Sequence, residues 1–140
     1  MPAADPDRLP VFVYGTLRPG GRNHRAHLAG RTTAVRPGTL PGAALHDGPG
    51  YPYLVACPGR SVHGELVTLD PARYAEVLAA LDHLEDCRPD GSGEYVRRRL
   101  EVTGAGGEPE PAWVYLAGAA VEAALRERPA LIASGDWLRR

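Results

Sequence analysis

A glutamate lies where a leucine is expected on the apolar face of the clearest predicted helix. Asp70-Pro71 predicts the start of that helix, because Asp caps a helix N-terminus and Pro fits its first turn. The helix is expected to run from about Pro71 to Glu85. Burial of the Glu85 carboxyl would raise its pKa towards neutrality, which suits a general acid and base. The apolar residues whose i+4 and i+7 spacing leads to Glu85 are Tyr74, Val77, Leu78 and Leu81.

Two simpler interpretations of Glu85 remain open at this stage. Helix ends are defined only to within one or two residues, so fraying of the helix at Leu84 would expose the Glu85 side chain to solvent. Alternatively, Glu85 forms an ion pair with Arg97 or Arg99, which follow on a predicted strand. Asp82 likewise either shares the site with Glu85 or is a solvated residue at the flank of the helix.

A glycine turn follows the first predicted strand and is a second candidate for chemistry. Val11 to Tyr14 is short, β-branched and aromatic, which is typical of a core strand. In Gly15-Thr16-Leu17 the backbone N–H groups are not expected to join a strand ladder, and successive free N–H groups suit an anion such as a carboxylate. The simpler interpretation is a bend at the end of a strand, with Gly for its conformational freedom.

The other reactive side chains form no recognisable catalytic or metal-binding pattern. Cys57 is expected in the core, and Cys87 follows a helix C-terminus, which disfavours a thiolate. The sequence contains no nucleophile-elbow serine motif and no P-loop lysine. We therefore predict no metal site. The histidines that lack metal-ligand spacing are His24, His27, His46, His63 and His83.

Length and composition limit the class of protein. A chain of 140 residues suits one domain, which we place at residues 11–140 after a flexible tail at residues 1–10. The net charge of −1 argues against nucleic-acid binding and against a polybasic membrane mode. All 16 basic residues are Arg, so a lysine Schiff base is excluded. With two cysteines and no apolar run long enough for a membrane span, the sequence predicts a cytoplasmic protein.

Strand patterns separated by Pro/Gly turns at short spacing favour a mixed antiparallel sheet or barrel. Short helices are predicted over residues 22–30 and 119–128, besides the helix ending at Glu85. Pro58-Gly59 is expected to end one strand, and Asp47-Gly48-Pro49-Gly50 is a strong turn. After the first strand, the predicted strands cover residues 32–35, 38–46, 51–57, 61–69, 95–102 and 111–117.

Together, the turn and the helix end resemble the signature of the γ-glutamylcyclotransferase-like (AIG2-like) superfamily. The residues that carry the resemblance are Tyr14-Gly15-Thr16-Leu17-Arg18 and Leu81-Asp82-His83-Leu84-Glu85, followed by a loop and Tyr95-Val96-Arg97-Arg98. Tyr51-Pro52-Tyr53-Leu54 and Trp113-Val114-Tyr115 support it, as do Val62-His63-Gly64-Glu65-Leu66 and Ser134-Gly135-Asp136-Trp137. The resemblance covers about residues 11–138.

The resemblance implies an α+β fold, a small mixed β-barrel with flanking short helices, and a reaction without a cofactor. The α-amine of a γ-glutamyl amine or amide attacks its own side-chain carbonyl and releases 5-oxoproline and a free amine. Glu85 would be the general acid and base of this amine-releasing lyase or acyltransferase. The partner would be a small γ-glutamyl substrate, with the protein a monomer or weak dimer. The expected substrate-binding residues are Tyr14, Gly15, Thr16, Leu17, Arg18, Tyr51, Tyr95 and Tyr115.

Some features of the signature are left open by the sequence. Arg18 is either a second carboxylate anchor or a surface residue leaving the turn. Asp86 stands where the family often has Gly, and we expect its charge to raise the pKa of Glu85 further. The loop from Arg88 to Glu94 is expected to select the substrate.

Two other function classes compete with the enzyme. A non-catalytic small-molecule binding module would keep the pocket and lack turnover. An interaction domain would expose Trp113 or Trp137 on a surface patch. Product formation would distinguish the first class from the enzyme, and the exposure of the tryptophans tests the second.

Overall fold

Short β-branched and aromatic runs form the strands, and the Pro/Gly-rich segments between them turn the chain. The computed structural model describes residues 8–140. Within them, the strands are β1 (Val11–Val13), β2 (Thr32–His46), β3 (Tyr53–Leu69), β4 (Tyr95–Gly104) and β5 (Pro109–Ala117). The α-helices are α1 (Arg22–His27), α2 (Tyr74–Leu84) and α3 (Ala119–Glu127), with single 3₁₀ turns at Pro71–Arg73 and Trp137–Arg139.

The strands close into a barrel in the order β1-β3-β2-β4-β5. Neighbouring strands are antiparallel, except that β1 and β5 pair in parallel where Val11 lies opposite Trp113. This arrangement confirms the predicted α+β fold with a small mixed barrel. None of the helices in residues 8–140 is long and apolar enough to cross a membrane.

The two longest strands differ from the prediction, which divided each of them at prolines and glycines. β2 is continuous from residue 32 to 46, and β3 runs through Pro58-Gly59. In the β2–β3 ladder, Pro41 pairs with Ser61 and Ala43 pairs with Ala56, so residues 57–60 lie in a bulge. Pro58 therefore sits where no ladder hydrogen bond is required, and the strand continues beyond it.

Helix α2 packs its apolar stripe against the outside of the barrel. Its start is capped as predicted, since the Asp70 carboxylate accepts a hydrogen bond from the Ala72 N–H at 3.0 Å. The turn that follows Asp70 is 3₁₀, and the α-helix begins at Tyr74. Tyr74, Val77 and Leu81 are buried in a cluster that includes residues of β1, β3, β4 and β5, whereas Leu78 is only partly buried. This packing holds the C-terminal end of α2, and with it Glu85, beside β4 and β5.

Two further predictions concern the ends of the chain. The tail predicted for residues 1–10 falls mainly on residues 1–7, outside the described residues. Leu9 is buried, and its carbonyl accepts a hydrogen bond from the Tyr74 hydroxyl at 2.7 Å. Trp137 is buried and Trp113 is partly covered by the Arg97 guanidinium, 4.4 Å from its ring centroid. The interaction-domain interpretation therefore lacks the exposed tryptophan that it requires.

Candidate active site

A cavity of about 300 Å³ brings most of the expected site residues together. The turn after β1 forms one wall, the end of α2 supplies Glu85, and tyrosines from three segments complete the wall. Arg18 is the expected residue that does not line this cavity. The expected residues that line it are Tyr14, Gly15, Thr16, Leu17, Tyr51, Glu85, Tyr95 and Tyr115.

The turn at residues 15–17 is fixed through its carbonyl groups. The Thr16 carbonyl accepts hydrogen bonds from the N–H groups of Asn23 and His24, and the Asn23 amide donates to the Thr16 hydroxyl at 2.7 Å. The start of α1 therefore anchors the turn. No protein acceptor within residues 8–140 takes the N–H groups of Gly15, Thr16 and Leu17. These donors remain available to an anionic ligand group.

Gly15 is required by close packing against Pro52. A Cβ atom at this position would lie 2.7 Å from Cδ and 2.8 Å from Cγ of Pro52. The Pro52 carbonyl in turn accepts a hydrogen bond from the buried Tyr95 hydroxyl at 2.7 Å. A larger side chain at Gly15 would therefore displace a segment that carries part of the cavity wall.

Glu85 is an unpartnered carboxyl group in the wall of the cavity. Its backbone N–H donates to the Leu81 carbonyl at 3.0 Å, so the last turn of α2 does not fray and the side chain stays on the apolar face. Within residues 8–140 no cation or hydrogen-bond donor contacts its carboxyl oxygens, and neither arginine proposed as its partner pairs with it. Burial, and secondly the negative charge of Glu94, raise the pKa of Glu85 to about 7. Such a group can accept and return a proton near neutral pH.

Arg97, one of the two arginines considered as a partner of Glu85, pairs with Asp82 instead. The ion pair is bidentate, with Nε–Oδ1 and Nη2–Oδ2 distances of 2.8 and 3.1 Å. The Tyr115 hydroxyl donates to the same Oδ1 at 2.6 Å. Asp82 is therefore neither a solvated residue at the helix flank nor a wall residue of the cavity, and it joins α2 to β4 and β5.

Glu94 is a second carboxylate in the cavity, and the sequence reasoning identified it only as the end of a selective loop. Its Oε1 accepts hydrogen bonds from the hydroxyls of Tyr51, at 2.6 Å, and Tyr53. Tyr51 and Tyr53 are two residues apart, a spacing that places alternate side chains of an extended segment on one face. That spacing is the signal from which a shared partner for the two hydroxyls could have been inferred.

The expectation that Asp86 raises the pKa of Glu85 is wrong. Asp86 adopts a left-handed backbone conformation, with φ +50°, and turns its carboxylate away towards Arg88. The ion pair with Arg88, at 3.0 Å, and a hydrogen bond from the Glu94 N–H, at 3.2 Å, lower the pKa of Asp86 itself. The charge that acts on Glu85 comes from Glu94 instead, because the loop folds back and brings that residue to the cavity.

Three buried tyrosines form the inner wall of the cavity. The Tyr14 hydroxyl donates to the Tyr115 carbonyl at 2.5 Å, while the hydroxyls of Tyr95 and Tyr115 donate to Pro52 and Asp82. Burial is the main cause that raises the pKa of all three phenols, so they stay neutral. Since their hydroxyl protons are already used, these residues offer the cavity mainly their aromatic surface.

Arg18 fits neither of the two roles that the sequence left open. It is buried, and its guanidinium forms two 2.8 Å hydrogen bonds to the Glu65 carboxylate and one of 2.7 Å to Asp136. It is therefore neither a surface residue nor an anchor in the cavity. Its backbone N–H donates to the Gly15 carbonyl at 3.1 Å, so the ion-pair cluster restrains the turn from behind.

Comparisons with known proteins agree on one family. The family model described as γ-glutamyl cyclotransferase, AIG2-like, matches residues 11–139. A Vibrio cholerae serotype O1 protein named "Putative gamma-glutamylcyclotransferase" is 38% identical over 130 residues, which cover 93% of this chain and 96% of the relative. The γ-glutamylaminecyclotransferase of Bos taurus is 38% identical over 104 residues, 66% of this chain and 55% of that protein.

Comparison of the fold with solved structures indicates the same family. The crystal structure of an AIG2-like protein from Mus musculus matches with a TM-score of 0.60 and 29% sequence identity. The match covers 77% of this chain and 76% of the mouse chain. Sequence and fold therefore indicate the same group of proteins.

Proposed function

Since the chain belongs to the γ-glutamyl cyclotransferase, AIG2-like family, we propose that it converts γ-glutamyl amines or amides into 5-oxoproline and a free amine. The observation that carries this proposal is the unpartnered Glu85 carboxyl in the same cavity as the free N–H groups of residues 15–17. The name of the bovine relative, γ-glutamylaminecyclotransferase, supports this class of substrate.

The proposed reaction takes place within one substrate molecule. The α-amino nitrogen attacks the γ-carbonyl carbon, a new C–N bond closes a five-membered lactam, and the C–N bond to the released amine breaks. Because nucleophile and electrophile belong to one molecule, a cavity that holds the glutamyl chain folded supplies a large effective molarity. The aromatic walls formed by Tyr14, Tyr95 and Tyr115 are suited to confining such a short chain.

Glu85 is proposed to move the proton. The α-amino group is protonated near neutral pH and must lose a proton before it attacks. The Glu85 carboxylate accepts that proton and returns it to the leaving nitrogen. The second proton, lost as the attacking nitrogen becomes the lactam N–H, goes to the released amine, which departs as an ammonium ion, so protons and charge balance over the cycle. A pKa of about 7 supports both halves of this role, because the acid and base forms are then both well populated.

The turn at residues 15–17 is proposed to hold an anionic oxygen of the substrate. That oxygen is either the α-carboxylate or the oxyanion that develops at the γ-carbonyl during attack. In both cases the donors are backbone N–H groups, whose positions are fixed by the contacts of Thr16 with α1. A preorganised donor set of this kind costs little reorganisation when charge develops.

The test is a product assay on a panel of γ-glutamyl amines, γ-glutamyl amino acids and an ε-(γ-glutamyl)-lysine. We expect 5-oxoproline from at least one substrate class. Glu85→Gln should lower kcat by about 10²–10⁴-fold, the usual range for a general acid–base group, while circular dichroism stays native. Saturable binding of the panel without 5-oxoproline would overturn the proposal and favour a binding module.

A further inference from the structure

Glu94 is a carboxylate in the wall of the cavity that the proposed reaction does not use. Glu94 presents two carboxylate oxygens, and both tyrosine hydroxyls, from Tyr51 and Tyr53, bond to Oε1. Within residues 8–140 no donor contacts Oε2, and no side-chain cation pairs with Glu94. Two phenol donors on one oxygen hold the carboxylate in a fixed orientation and leave the other oxygen free for a ligand.

Burial distinguishes the inner wall of the cavity from its mouth. Tyr14, Tyr95 and Tyr115 are buried, whereas Tyr51 and Glu94 are partly exposed. The glutamyl part of the substrate has to lie between the turn and Glu85, so the amine that will be released points towards the mouth. Glu94 therefore faces the part of the substrate that differs from one γ-glutamyl compound to another.

We propose that Glu94 is a specificity-determining residue that selects γ-glutamyl substrates whose released amine carries a second, cationic group. This inference rests on the proposed function. A fixed carboxylate with one free oxygen is the natural partner of an ammonium group that keeps its proton throughout the reaction. The α-ammonium is a poorer partner, because an adjacent permanent anion would oppose the loss of the proton that attack requires.

The other charged group at the mouth does not cancel this preference. Arg22 also lines the cavity, but its side chain is exposed and its Nη2 donates to the Gly50 carbonyl at 3.0 Å. It forms no ion pair with Glu94. Within residues 8–140 no cationic side chain therefore pairs with the Glu94 carboxylate.

Three substrates of matched length test the proposal. They are the γ-glutamyl derivatives of 1,4-diaminobutane, n-pentylamine and 5-aminopentanoate, which end in ammonium, methyl and carboxylate groups. We expect kcat/KM to be about tenfold higher for the ammonium than for the methyl compound, and lowest for the carboxylate, as for a hydrogen bond to a charged group. In Glu94→Gln the ammonium-to-methyl ratio should fall towards one.

The ratio separates selection from general effects on catalysis. Glu122→Gln makes the same change of charge on α3, outside the cavity, and should retain the wild-type ratio. Equal kcat/KM for the ammonium and methyl compounds in the wild type would overturn the proposal, as would a ratio that survives Glu94→Gln. A uniform loss for all three substrates in Glu94→Gln would assign Glu94 to the α-ammonium and also overturn it.

Binding to the Glu85→Gln protein keeps the inference distinguishable from the proposed reaction. Dissociation constants of the three compounds are compared between Glu85→Gln and Glu85→Gln/Glu94→Gln by calorimetry. Tighter binding of the ammonium compound that depends on Glu94, without 5-oxoproline from wild type, would support the selection and reject the reaction. Turnover without any charge preference would do the reverse, and failure of all three compounds to bind would overturn the selection.

Discussion

Asp82 and Glu85 lie one helical turn apart at the end of α2, yet their surroundings are opposite. Asp82 is neutralised by Arg97 and receives the Tyr115 hydroxyl, whereas Glu85 has no partner within residues 8–140 and faces a second carboxylate across the cavity. The Asp82 carboxylate joins α2 to β4 and β5. The pKa of Glu85, by contrast, is raised to about 7. A paired carboxylate stabilises a structure, while an unpaired one costs stability and retains reactivity.

The largest expected contrast between the two residues is in turnover. Asp82→Asn should keep kcat within about tenfold of wild type, because Asp82 only orients wall residues, whereas Glu85→Gln loses the proposed proton-transfer group. Both variants replace a carboxylate by its amide at the same helix end, so each is the matched control for the other. A loss of kcat in Asp82→Asn as large as that in Glu85→Gln would remove the distinction.

The two substitutions should change the stability of the folded protein in opposite directions. The pKa of Glu85 lies at about 7 in the folded protein against an ordinary value of 4.5, so stability is lost as pH rises from about 4.5 to 7. At pH 8 Glu85→Gln should therefore be more stable than wild type, by up to about 3 kcal/mol, with almost no difference at pH 4. Asp82→Asn should be less stable at pH 8, by about 1–2 kcal/mol, because Arg97 loses its partner. Urea unfolding at the two pH values measures both changes.

The smallest expected effect concerns the pH dependence of catalysis. In the proposed mechanism the base form of Glu85 starts the reaction, so kcat/KM should rise with pH through about 7. Glu94→Gln removes a negative charge that raises the pKa of Glu85, so the rising limb of the pH profile of kcat/KM should move to lower pH. The move should be smaller than the shift caused by burial, which is the larger cause. Asp86→Asn serves as control and should leave the limb in place, and equal shifts in both variants would contradict the assignment to Glu94.

The parts of the site that the sequence predicts depend on local signals. The cap at Asp70 and the apolar spacing of α2 fix where Glu85 lies on the helix, and the strand-to-glycine transition fixes the turn. Both signals act within a few residues, so periodicity and capping are sufficient to find them. The turn residues that separate the strands predict a mixed antiparallel sheet or barrel, and the resemblance to the family selects the barrel.

The parts that the sequence does not predict depend on contacts between distant segments. Glu94 reaches the cavity because Asp86 adopts a left-handed conformation and Gly93 allows a close approach of the loop backbone, where a Cβ would meet the Asp86 carbonyl. Its tyrosine partners lie more than forty residues away in sequence. The proline and glycine in β3 are misleading in the same way, because only the register with β2 shows that a bulge accommodates them.

The ion-pair cluster of Arg18 has a consequence for the order in which the protein is made. Arg18 lies directly beyond the turn that lines the cavity, and one of its partners, Asp136, lies 118 positions later in the chain. During synthesis Arg18 leaves the ribosome long before Asp136 has been polymerised, and domains in general complete their folding only when their distant contacts are available. The turn therefore gains its full restraint only after Asp136 has emerged, so a growing chain does not present a finished site while its synthesis is incomplete.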